Sequence, residues 1–351
     1  MSLQEIRKKI DIKDAAIVKL LNDRMELALM SKKFKKDVED SKREDELLQK
    51  IRENSGGLIN SQFIEKLFLE IITESKKLQK TDYSLIGFQG EHGAYGEVAA
   101  RAWNDKYIPI PCMEFADVFE GVDKGQIDYG IIPIENTLGG VVGEANDILI
   151  NSSLNVIGAV ELPVHHCLLA LPGIDHRDIR QVYSHTQALA QCRHFLARNN
   201  LEPVPYYDTA GSAKMIAEKR LETGACIASR LAGELYGLEV IKEGIEDLST
   251  NKTRFLVLSK EKNPETGTKC SILFSTAHKA GTLFRTLQIF AEENINLSRI
   301  ESIPSQPGTY AFFLDFIGSD KDERIIKILE KVKNETSDFK IMGCYNERVV
   351  K

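Results

Sequence analysis

The fold of the central part of this chain is decided by a short apolar run that ends in a polar turn, YGIIPIENTLGG at residues 129–140. The run has the length of one buried strand, and the Asn, Thr and Gly residues after it are typical of turns. Short apolar runs of this kind alternate with helical patterns from residue 84 to residue 260. The alternation is typical of an α/β fold with largely parallel strands, which binds ligands beyond the carboxyl ends of its strands.

Four other turns in this segment also place hydroxyl, amide or cationic groups where a strand ends or begins. They span residues 87–96, 183–192, 208–213 and 251–255. The first turn is rich in glycine, and glycine lets backbone N–H groups approach an anion at a helix N-terminus. Its spacing is close to a dinucleotide fingerprint, but no acidic residue follows the next strand at the expected place. A turn that binds a carboxylate and a purely structural turn are the remaining interpretations.

Residues 1–80 have a helical periodicity instead. Apolar residues recur there at spacings of three, four and seven, namely Leu3, Ile6, Ile10, Ile17, Leu20, Leu21, Leu27 and Ala28. They predict an amphipathic helix over residues 3–36, and further helices follow at 40–53 and 61–79 around a break at Gly56-Gly57. The first helix would be about 50 Å long, which is too long for an 80-residue domain to cover. The stripe therefore predicts a second copy of the chain as partner.

A polar stretch at residues 260–268 separates a last unit from the rest of the chain. The pattern of this unit predicts strand, helix, strand, strand, helix and strand at residues 270–277, 281–293, 296–303, 309–317, 320–335 and 339–345. This βαββαβ order is that of a ferredoxin-like domain. We therefore expect a multidomain protein with an all-α domain at 1–80, an α/β domain at 84–260 and an α+β domain at 269–347.

The composition argues against several classes of protein. Apolar residues make up 42% and charged residues 28% of the 351 residues, the balance of a globular protein with two or three domains. The net charge of −6 gives no reason to expect nucleic acid or an acidic membrane as partner. No apolar signal segment opens the chain and no run of 18 apolar residues occurs, so we expect a cytoplasmic protein.

The cysteines and histidines indicate neither a metal site nor a disulfide. The six cysteines are scattered without a Cys-x-x-Cys pair, and we interpret them as reduced core residues. They are Cys112, Cys167, Cys192, Cys226, Cys270 and Cys344. His165 and His166 are adjacent on a predicted strand and so point to opposite faces, which argues against a shared metal. We expect no metal and no cofactor.

In order and spacing, the five turns resemble the motifs of the prephenate dehydratase family, and the resemblance covers residues 84–260. It implies two α/β lobes, like those of periplasmic binding proteins, with the active site between them. The implied reaction is the decarboxylation of prephenate with loss of its ring hydroxyl as water, which gives phenylpyruvate. The resemblance implies catalysis by Thr253, which helps the hydroxyl to leave. It implies substrate binding by Asn136, Ser184, Gln187, Thr209, Ser212 and Arg254.

Alternatives accompany this assignment. The hydroxyl and amide groups could serve local caps and turn bonds, and Arg254 could be a paired surface charge. The segments 137–140, 165–170 and 184–192 also resemble plant arogenate dehydratases, whose substrate has an amino group in place of the keto group. The family often has Tyr-Ser where this chain has Tyr95-Gly96. The choice between prephenate and arogenate is therefore open at this point.

Residues 1–80 resemble the all-helical chorismate mutase class. The resemblance implies catalysis by Arg24, Lys35 and Gln79 and substrate binding by Arg7, Asp40, Arg43, Glu44 and Ser75. Arg24 and Lys35 are eleven residues apart, and Ser75 and Gln79 are four apart, so each pair would share a helix face. In this class Lys35 and Gln79 would bond the ether oxygen of chorismate, and Arg7 would reach the site of the other subunit. The alternative is a helical segment that only dimerises.

Residues 269–347 resemble an ACT domain, the amino-acid-sensing fold. The basis is Gly281–Phe284 and Glu301–Pro304, in which Ile303 replaces the usual Arg. The resemblance implies that phenylalanine binds at Gly281, Leu283, Glu301 and Ser302 and inhibits the dehydratase; a dimerisation module without sensing is the alternative. Together the resemblances imply a bifunctional chorismate mutase–prephenate dehydratase under feedback control, as a homodimer or tetramer. A non-catalytic sensor of carboxylates is the alternative class.

Overall fold

The computed structural model describes residues 2–35, 37–54, 57–276, 279–306 and 309–350. Their side chains are described except at positions 5, 8, 54, 303–306 and 309. The predicted break at Gly56 and the side chain of Ile303 therefore lie outside the described part. The chain forms two compact units, residues 1–85 with 125–127 and residues 86–124 with 128–351.

The first unit is all-α, as predicted. Its helices are α1 (Leu3–Lys32), α2 (Ser41–Asn54) and α3 (Ser61–Lys80). The last helix begins at a side-chain cap, where Asn60 Oδ1 accepts the backbone N–H of Gln62 at 2.8 Å. Several apolar residues of the α1 stripe are exposed, namely Leu3, Ile6, Ile10, Ile17, Leu20 and Leu27. None of the helices in the described ranges is both long and apolar enough to cross a membrane.

The end of α1 differs from the prediction. The backbone N–H groups of Lys33, Phe34 and Lys35 each donate to the carbonyl three residues earlier, which tightens the chain into a turn after Lys32. Lys35 therefore lies beyond the helix. The prediction that Lys35 shares a helix face with Arg24 is wrong, because the helical phase ends before Lys35.

The second unit contains two α/β lobes followed by the C-terminal domain. The first lobe consists of β1 (Leu85–Gln89), α4 (Tyr95–Trp103), β2 (Ile108–Cys112), α5 (Phe115–Asp123), β3 (Tyr129–Asn136), β4 (Gly140–Val141), α6 (Gly143–Asn151) and β5 (Asn155–Pro163). The second lobe consists of β6 (Cys167–Ala170), β7 (Gln181–Ser184), α7 (Thr186–Gln191), α8 (Arg193–Arg198), β8 (Glu202–Pro205), α9 (Thr209–Lys219), β9 (Gly224–Ala228), α10 (Arg230–Tyr236) and β10 (Glu239–Glu243). The chain then returns to the first lobe through β11 (Lys252–Ser259).

The two sheets are mixed, and the prediction of largely parallel strands is wrong. The order in the second lobe is β10-β6-β9-β7-β8, with antiparallel pairs at β10-β6 and β6-β9. In the first lobe β11 runs antiparallel to both β5 and β3. The reason is the passage between lobes: β5 leaves the first sheet at Pro163, and β11 enters it at Lys252, the residue paired with Pro163. The apolar composition of a buried strand does not record its direction.

One apolar core extends through both lobes. It includes Phe88 and Phe255 from the first lobe together with Leu169 and Cys226 from the second, all buried. The lobes are therefore held together by packing, and the polar groups between them keep fixed positions relative to the two sheets.

The C-terminal domain has the predicted ferredoxin-like order. Its elements are β12 (Lys269–Thr276), α11 (Thr282–Glu292), β13 (Leu297–Gln306), β14 (Thr309–Ile317), α12 (Glu323–Glu335) and β15 (Ser337–Tyr345), with the sheet order β13-β14-β12-β15. A further strand that the sequence analysis did not predict, β16 (Glu347–Val349), pairs in parallel with β5. This strand extends the sheet of the first lobe, so the end of the chain ties the C-terminal domain to the sheet that contains β11.

Two of the six cysteines are not reduced core residues, contrary to the prediction. Cys270 on β12 and Cys344 on β15 form a disulfide. They face each other directly in the antiparallel register, with Cα atoms 4.1 Å apart, although 74 residues separate them in the sequence. Scattered spacing hides such a pair, because the sheet and not the sequence brings the two strands together. Cys112, Cys167, Cys192 and Cys226 are free, in agreement with the prediction.

Candidate active sites

Thr253 lies at the start of β11, the strand between β5 and β3. Its backbone is opposite Asn136 on one side and Leu162 on the other, and only 9% of the residue is exposed. The Asn136 side chain reaches across from the end of β3, and its Nδ2 donates to Thr253 Oγ1 at 2.9 Å. Two residues that the sequence analysis assigned to the dehydratase site are therefore in direct contact.

The orientation of the Asn136 amide is determined by the turn that follows it. Asn136 Oδ1 accepts the backbone N–H groups of Leu138 at 3.0 Å and Gly139 at 2.7 Å, so its Nδ2 must face Thr253. Because Thr253 Oγ1 accepts that bond, its own hydroxyl hydrogen is available to donate to another acceptor. A hydroxyl in this state can hydrogen-bond an oxygen that gains negative charge as it leaves.

Gln187 approaches the same turn from the second lobe. A Cβ placed on Gly139 would overlap the Gln187 side-chain nitrogen and would lie 3.2 Å from Asn136 Oδ1. Only glycine leaves room for this contact. The structure therefore brings Gln187 beside Asn136, as expected for two residues that line one cleft.

Two of the predicted hydroxyl ligands, Ser184 and Ser212, have bonding partners within their own lobe. Ser184 Oγ is fully buried and donates to the Ile227 carbonyl at 2.7 Å, and Ser212 Oγ donates to the Thr209 carbonyl at 2.5 Å. Asp208 caps α9 by accepting the Gly211 N–H at 2.8 Å, and burial raises the pKa of this carboxyl. The Ser212 bond is the local interaction named as the alternative, whereas the Ser184 bond joins β7 to β9 across the second sheet.

Arg254 is neither exposed nor directed to Thr253. Its guanidinium is 6% exposed and lies 2.5 Å from Asp315 Oδ2, 2.5 Å from Glu347 Oε1 and 3.0 Å from the Tyr345 hydroxyl. The alternative interpretation of Arg254 as a paired surface charge is therefore half right: the charge is paired, but it is buried. Burial alone would lower the pKa of Arg254, but Tyr345 and the two carboxylates raise it above its ordinary value.

The glycine-rich turn at residues 87–96 packs the lobes together. Gly93 has φ +88°, and a Cβ there would lie 2.6 Å from Ala232 Cα on α10. Its carbonyl accepts the Ser229 hydroxyl at 2.5 Å, and its N–H donates to the buried Glu97 carboxylate at 2.7 Å. Close packing accounts for this glycine without a ligand, which favours the structural interpretation of the turn over carboxylate binding.

The helical unit groups several of the predicted mutase residues. Ser75 and Gln79 are both 6% exposed on one face of α3, as predicted, and Gln79 Nε2 donates to the Ala28 carbonyl on α1 at 2.9 Å. Glu44 bonds Lys76 at 2.8 Å, a cation that the sequence analysis did not assign. Asp40 accepts the backbone N–H of Arg43 at 3.0 Å and begins α2, while Arg7 and Lys35 are exposed.

Arg24 has the clearest unmet bonding capacity in this unit. Its Nη1 is buried and has no hydrogen-bond partner among the described residues, and burial lowers the pKa of the guanidinium. A carboxylate from a bound dianion would supply the missing acceptor.

The predicted effector residues lie on two elements of the C-terminal domain, the start of α11 and the edge strand β13. Gly281 has φ +82° and begins α11, and Leu283 on that helix packs against the domain core. Glu301 and Ser302 lie on β13, opposite Phe313 and Phe312 of β14.

Four residues near Thr253 were not assigned by the sequence analysis. Asn251, Gln191, His166 and Tyr95 form a hydrogen-bonded series that ends at Asn136. All four fall within or beside the quoted segments, so a signal was present. His165 and His166 do occupy different environments, since the His165 side chain is 60% exposed and His166 is 2% exposed.

Comparison with known proteins agrees with this architecture. Family profiles match residues 6–80 as chorismate mutase type II, 86–263 as prephenate dehydratase and 271–334 as ACT domain. A bifunctional chorismate mutase/prephenate dehydratase of Aquifex aeolicus is 33% identical, over 98% of this chain and 97% of that protein. Arogenate dehydratase 2 of Petunia hybrida is 37% identical, over 74% of this chain and 71% of its own length. The structure of a prephenate dehydratase in complex with L-Phe from Arthrobacter aurescens superposes with a TM-score of 0.70 at 30% identity, over 75% of this chain and 89% of that one.

The order of domains defines an enzyme of the prephenate dehydratase class with an ACT regulatory domain. The match to the Aquifex protein extends through the helical unit as well. The chain therefore belongs to the family of bifunctional chorismate mutase/prephenate dehydratases.

Proposed function

We propose that the chain converts chorismate to prephenate in its helical unit and prephenate to phenylpyruvate at Thr253. The observation that supports the second step best is the 2.9 Å bond from Asn136 to Thr253 Oγ1, which leaves the hydroxyl hydrogen for the substrate. In this step the bond between the ring carbon and its carboxylate breaks, and CO₂ leaves. The electron pair of that bond enters the ring. The hydroxyl on the opposite ring carbon then departs as hydroxide and takes the C–O bonding pair with it.

Thr253 assists this departure by hydrogen bonding. A threonine hydroxyl is a weak acid, so its contribution is stabilisation of the charge that develops on the leaving oxygen rather than complete proton transfer. Hydroxide takes a proton and leaves as water. Aromatisation drives the reaction, and the lobes hold the substrate in the reactive orientation. We assign this holding to Asn136, Gln187, Thr209 and the residues around them, with no cofactor.

Thr253→Val tests the dehydratase assignment, because it removes the hydroxyl and keeps the shape of the side chain. We expect kcat with prephenate to fall by about 100-fold or more. The mutase activity of the same protein is the internal control and should not change. A variant with full dehydratase activity would refute the role of Thr253.

The substrate of the dehydratase domain is prephenate rather than arogenate in this proposal, because a chain with its own mutase produces prephenate. The similarity to the Petunia arogenate dehydratase supports the second candidate. Competition between equal concentrations of prephenate and arogenate decides between them through the ratio of kcat/KM values. A ratio in favour of arogenate would overturn the assignment.

In the helical unit we propose that Arg24 binds a carboxylate of chorismate and that Lys35 and Gln79 stabilise the ether oxygen. The buried, unpartnered Nη1 of Arg24 supports this assignment. Lys35→Ala should lower the mutase rate by about 100-fold or more while the dehydratase rate is retained. Lys66→Ala, an exposed lysine on α3, is the matched control. Equal mutase rates in the two variants would refute the assignment.

We propose a homodimer or tetramer in which α1 packs against a second copy. The support is the row of exposed apolar residues on α1. In this assembly Arg7 of one subunit completes the mutase site of the other. Light scattering measures the mass directly, and a monomer with full mutase activity would contradict the proposal.

We further propose that phenylalanine binds the ACT domain at Gly281, Leu283, Glu301 and Ser302 and inhibits the dehydratase. The complex of L-Phe with the Arthrobacter protein supports this choice of effector. Titration of the purified chain with phenylalanine should lower the dehydratase rate and leave the mutase rate unchanged. If millimolar phenylalanine neither binds nor inhibits, the proposal is refuted and the alternative, a dimerisation module without sensing, holds.

A further inference from the structure

A series of hydrogen bonds connects the second lobe to the hydroxyl of Thr253. Asn136 Nδ2 donates to Asn251 Oδ1 at 2.8 Å, and Asn251 Nδ2 donates to Gln191 Oε1 at 3.2 Å. Gln191 Oε1 is in turn 2.8 Å from His166 Nε2, and His166 Nδ1 is 2.9 Å from the Tyr95 hydroxyl. We call the set Tyr95, His166, Gln191, Asn251 and Asn136 the amide series.

The donors and acceptors of the amide series follow from the turn at one end. The backbone N–H groups of Leu138 and Gly139 define the Asn136 oxygen, so its nitrogen must donate to Asn251 Oδ1. Asn251 must then donate through its nitrogen, and Gln191 must accept through Oε1. Since Oε1 has no hydrogen, His166 Nε2 must be the N–H donor.

His166 is suited to this place because it offers different groups on its two sides. The neutral ring donates from Nε2, and its Nδ1 lies 2.9 Å from the Tyr95 hydroxyl oxygen. The Tyr95 hydroxyl donates its one hydrogen to the His165 carbonyl at 2.7 Å, which anchors the phenol. The ring is 2% exposed, and burial lowers the pKa of His166, which favours the neutral form.

We propose that His166 and Gln191 are positioning residues for the dehydratase reaction: they hold Asn251 with its oxygen towards Asn136, and this acceptor, together with the turn at Leu138 and Gly139, keeps the Asn136 amide in place beside Thr253. The proposal rests on the role of Thr253 given above. Neither residue touches the reacting atoms. The three amides do not pass protons from one to the next, so the series orients Thr253 and does not supply a proton.

The geometry also explains why the site needs both lobes. Tyr95, Asn136 and Thr253 lie in the first lobe, whereas His166 and Gln191 lie in the second. Asn251 is fully buried where the chain returns to the first lobe. A buried amide that loses one partner can turn over, because the exchange of its oxygen and nitrogen then breaks fewer bonds. If the Asn251 amide turned over, Asn136 Nδ2 would lose the Asn251 oxygen as an acceptor and would be held less tightly beside Thr253.

His166→Leu and His166→Gln in the full chain test this proposal. Leucine removes the donor to Gln191, and kcat with prephenate should fall by about 10- to 100-fold with KM nearly unchanged. Glutamine can restore an N–H donor near the position of Nε2 and should recover most of kcat. His165→Gln is the control, because that ring is exposed and bonds Glu246 at 2.8 Å, outside the amide series. The mutase activity of each variant is measured as a control for damage to the rest of the chain.

A double variant separates positioning from general damage. If His166 acts through Thr253, His166→Leu should slow the wild-type enzyme but should have no further effect on kcat in the Thr253→Val background. The proposal would be overturned if His166→Leu lowered kcat equally in both backgrounds. It would also be overturned if His166→Leu kept the wild-type kcat while Thr253→Val was inactive. Full activity of Thr253→Val would instead overturn the assignment of Thr253 itself.

Discussion

Arg254 Nη1 and Asp315 Oδ2 lie 2.5 Å apart and join the strand of Thr253 to the ACT domain through a buried ion pair. Arg254 is the neighbour of Thr253 on β11, and Asp315 is fully buried on β14. Ser271 donates to the other oxygen of Asp315. Successive residues of a strand point to opposite faces, so β11 presents one side chain to the active site and the next to the regulatory domain.

A second contact strengthens this junction. Glu135 lies 3.4 Å from Arg254 Nη1 and 3.4 Å from Arg299 Nε of β13, and Arg299 also donates to Asn146 at 3.0 Å. Glu135 is the neighbour of Asn136 on β3. Strands β3 and β11 are therefore each tied to an ACT strand by a charged residue next to Asn136 or Thr253.

Asp315→Asn should destabilise the second unit. The substitution leaves the Arg254 charge buried with weaker compensation, and breaking such a pair costs about 3–5 kcal/mol. Denaturant unfolding measures the loss. The matched control is Glu293→Gln, which breaks the exposed 3.0 Å pair with Lys331 in the same domain and should cost no more than about 1 kcal/mol. Equal losses in the two variants would show that burial does not matter here.

His166 should make the stability of the second unit depend on pH. Burial lowers its pKa below the usual value of 6.5, and His165 does so too, although Gln191 and Glu246 oppose them. Below pH 6.5 His166 is protonated in the unfolded chain but still neutral in the folded chain. The free energy of unfolding therefore decreases as the pH falls towards the pKa of His166 in the folded state. Stability curves of wild type and His166→Gln should diverge over this range by up to about 1.4 kcal/mol per pH unit. Parallel curves would contradict the expectation.

The disulfide of the ACT domain predicts a difference in both mass and stability. Alkylation of the denatured chain without reductant should modify four cysteines, and after reduction all six. Because the bond closes a loop across 74 residues, reduction should lower the free energy of unfolding by about 2–4 kcal/mol. Cys226→Ser, a change at a free buried cysteine, is the control for alkylation, with one modification fewer in both states. Six modifications without reductant would refute the bond.

The predictable part of this protein was local in sequence. The three helices of the first unit and the βαββαβ order of the last follow from periodicities within a few residues, and each prediction was confirmed to within a few residues. The direction of β11, strand β16 and the Cys270–Cys344 bond depend on which strands become neighbours. Periodicity carries no information about that choice.

The candidate site divides in the same way. Asn136 and Thr253 were found through motifs, but Asn136 and Asn251 are 115 residues apart, and His166 is 71 residues from Tyr95. Their contact is a product of the fold. The adjacent histidines were predicted to point to opposite faces, and this alternation places His166 inside, where one ring nitrogen can order a neighbour. Arg254 illustrates the limit most clearly, since its strand position was predictable and the domain that it faces was not.

Gly139 should be essential for the dehydratase cleft although it has no functional group. In Gly139→Ala the new Cβ would overlap the Gln187 amide and approach Asn136 Oδ1 to 3.2 Å, so the Gln187 side chain must leave its place beside Asn136. We expect kcat with prephenate to fall by about 10-fold or more, with mutase activity retained. The matched control is Gly143→Ala at the start of α6, where no atom lies within 4 Å of the new Cβ. That change should preserve activity and stabilise the fold by about 0.4–1 kcal/mol. If both variants keep full dehydratase activity, the close approach of Gln187 to the Asn136 turn is not required for the reaction.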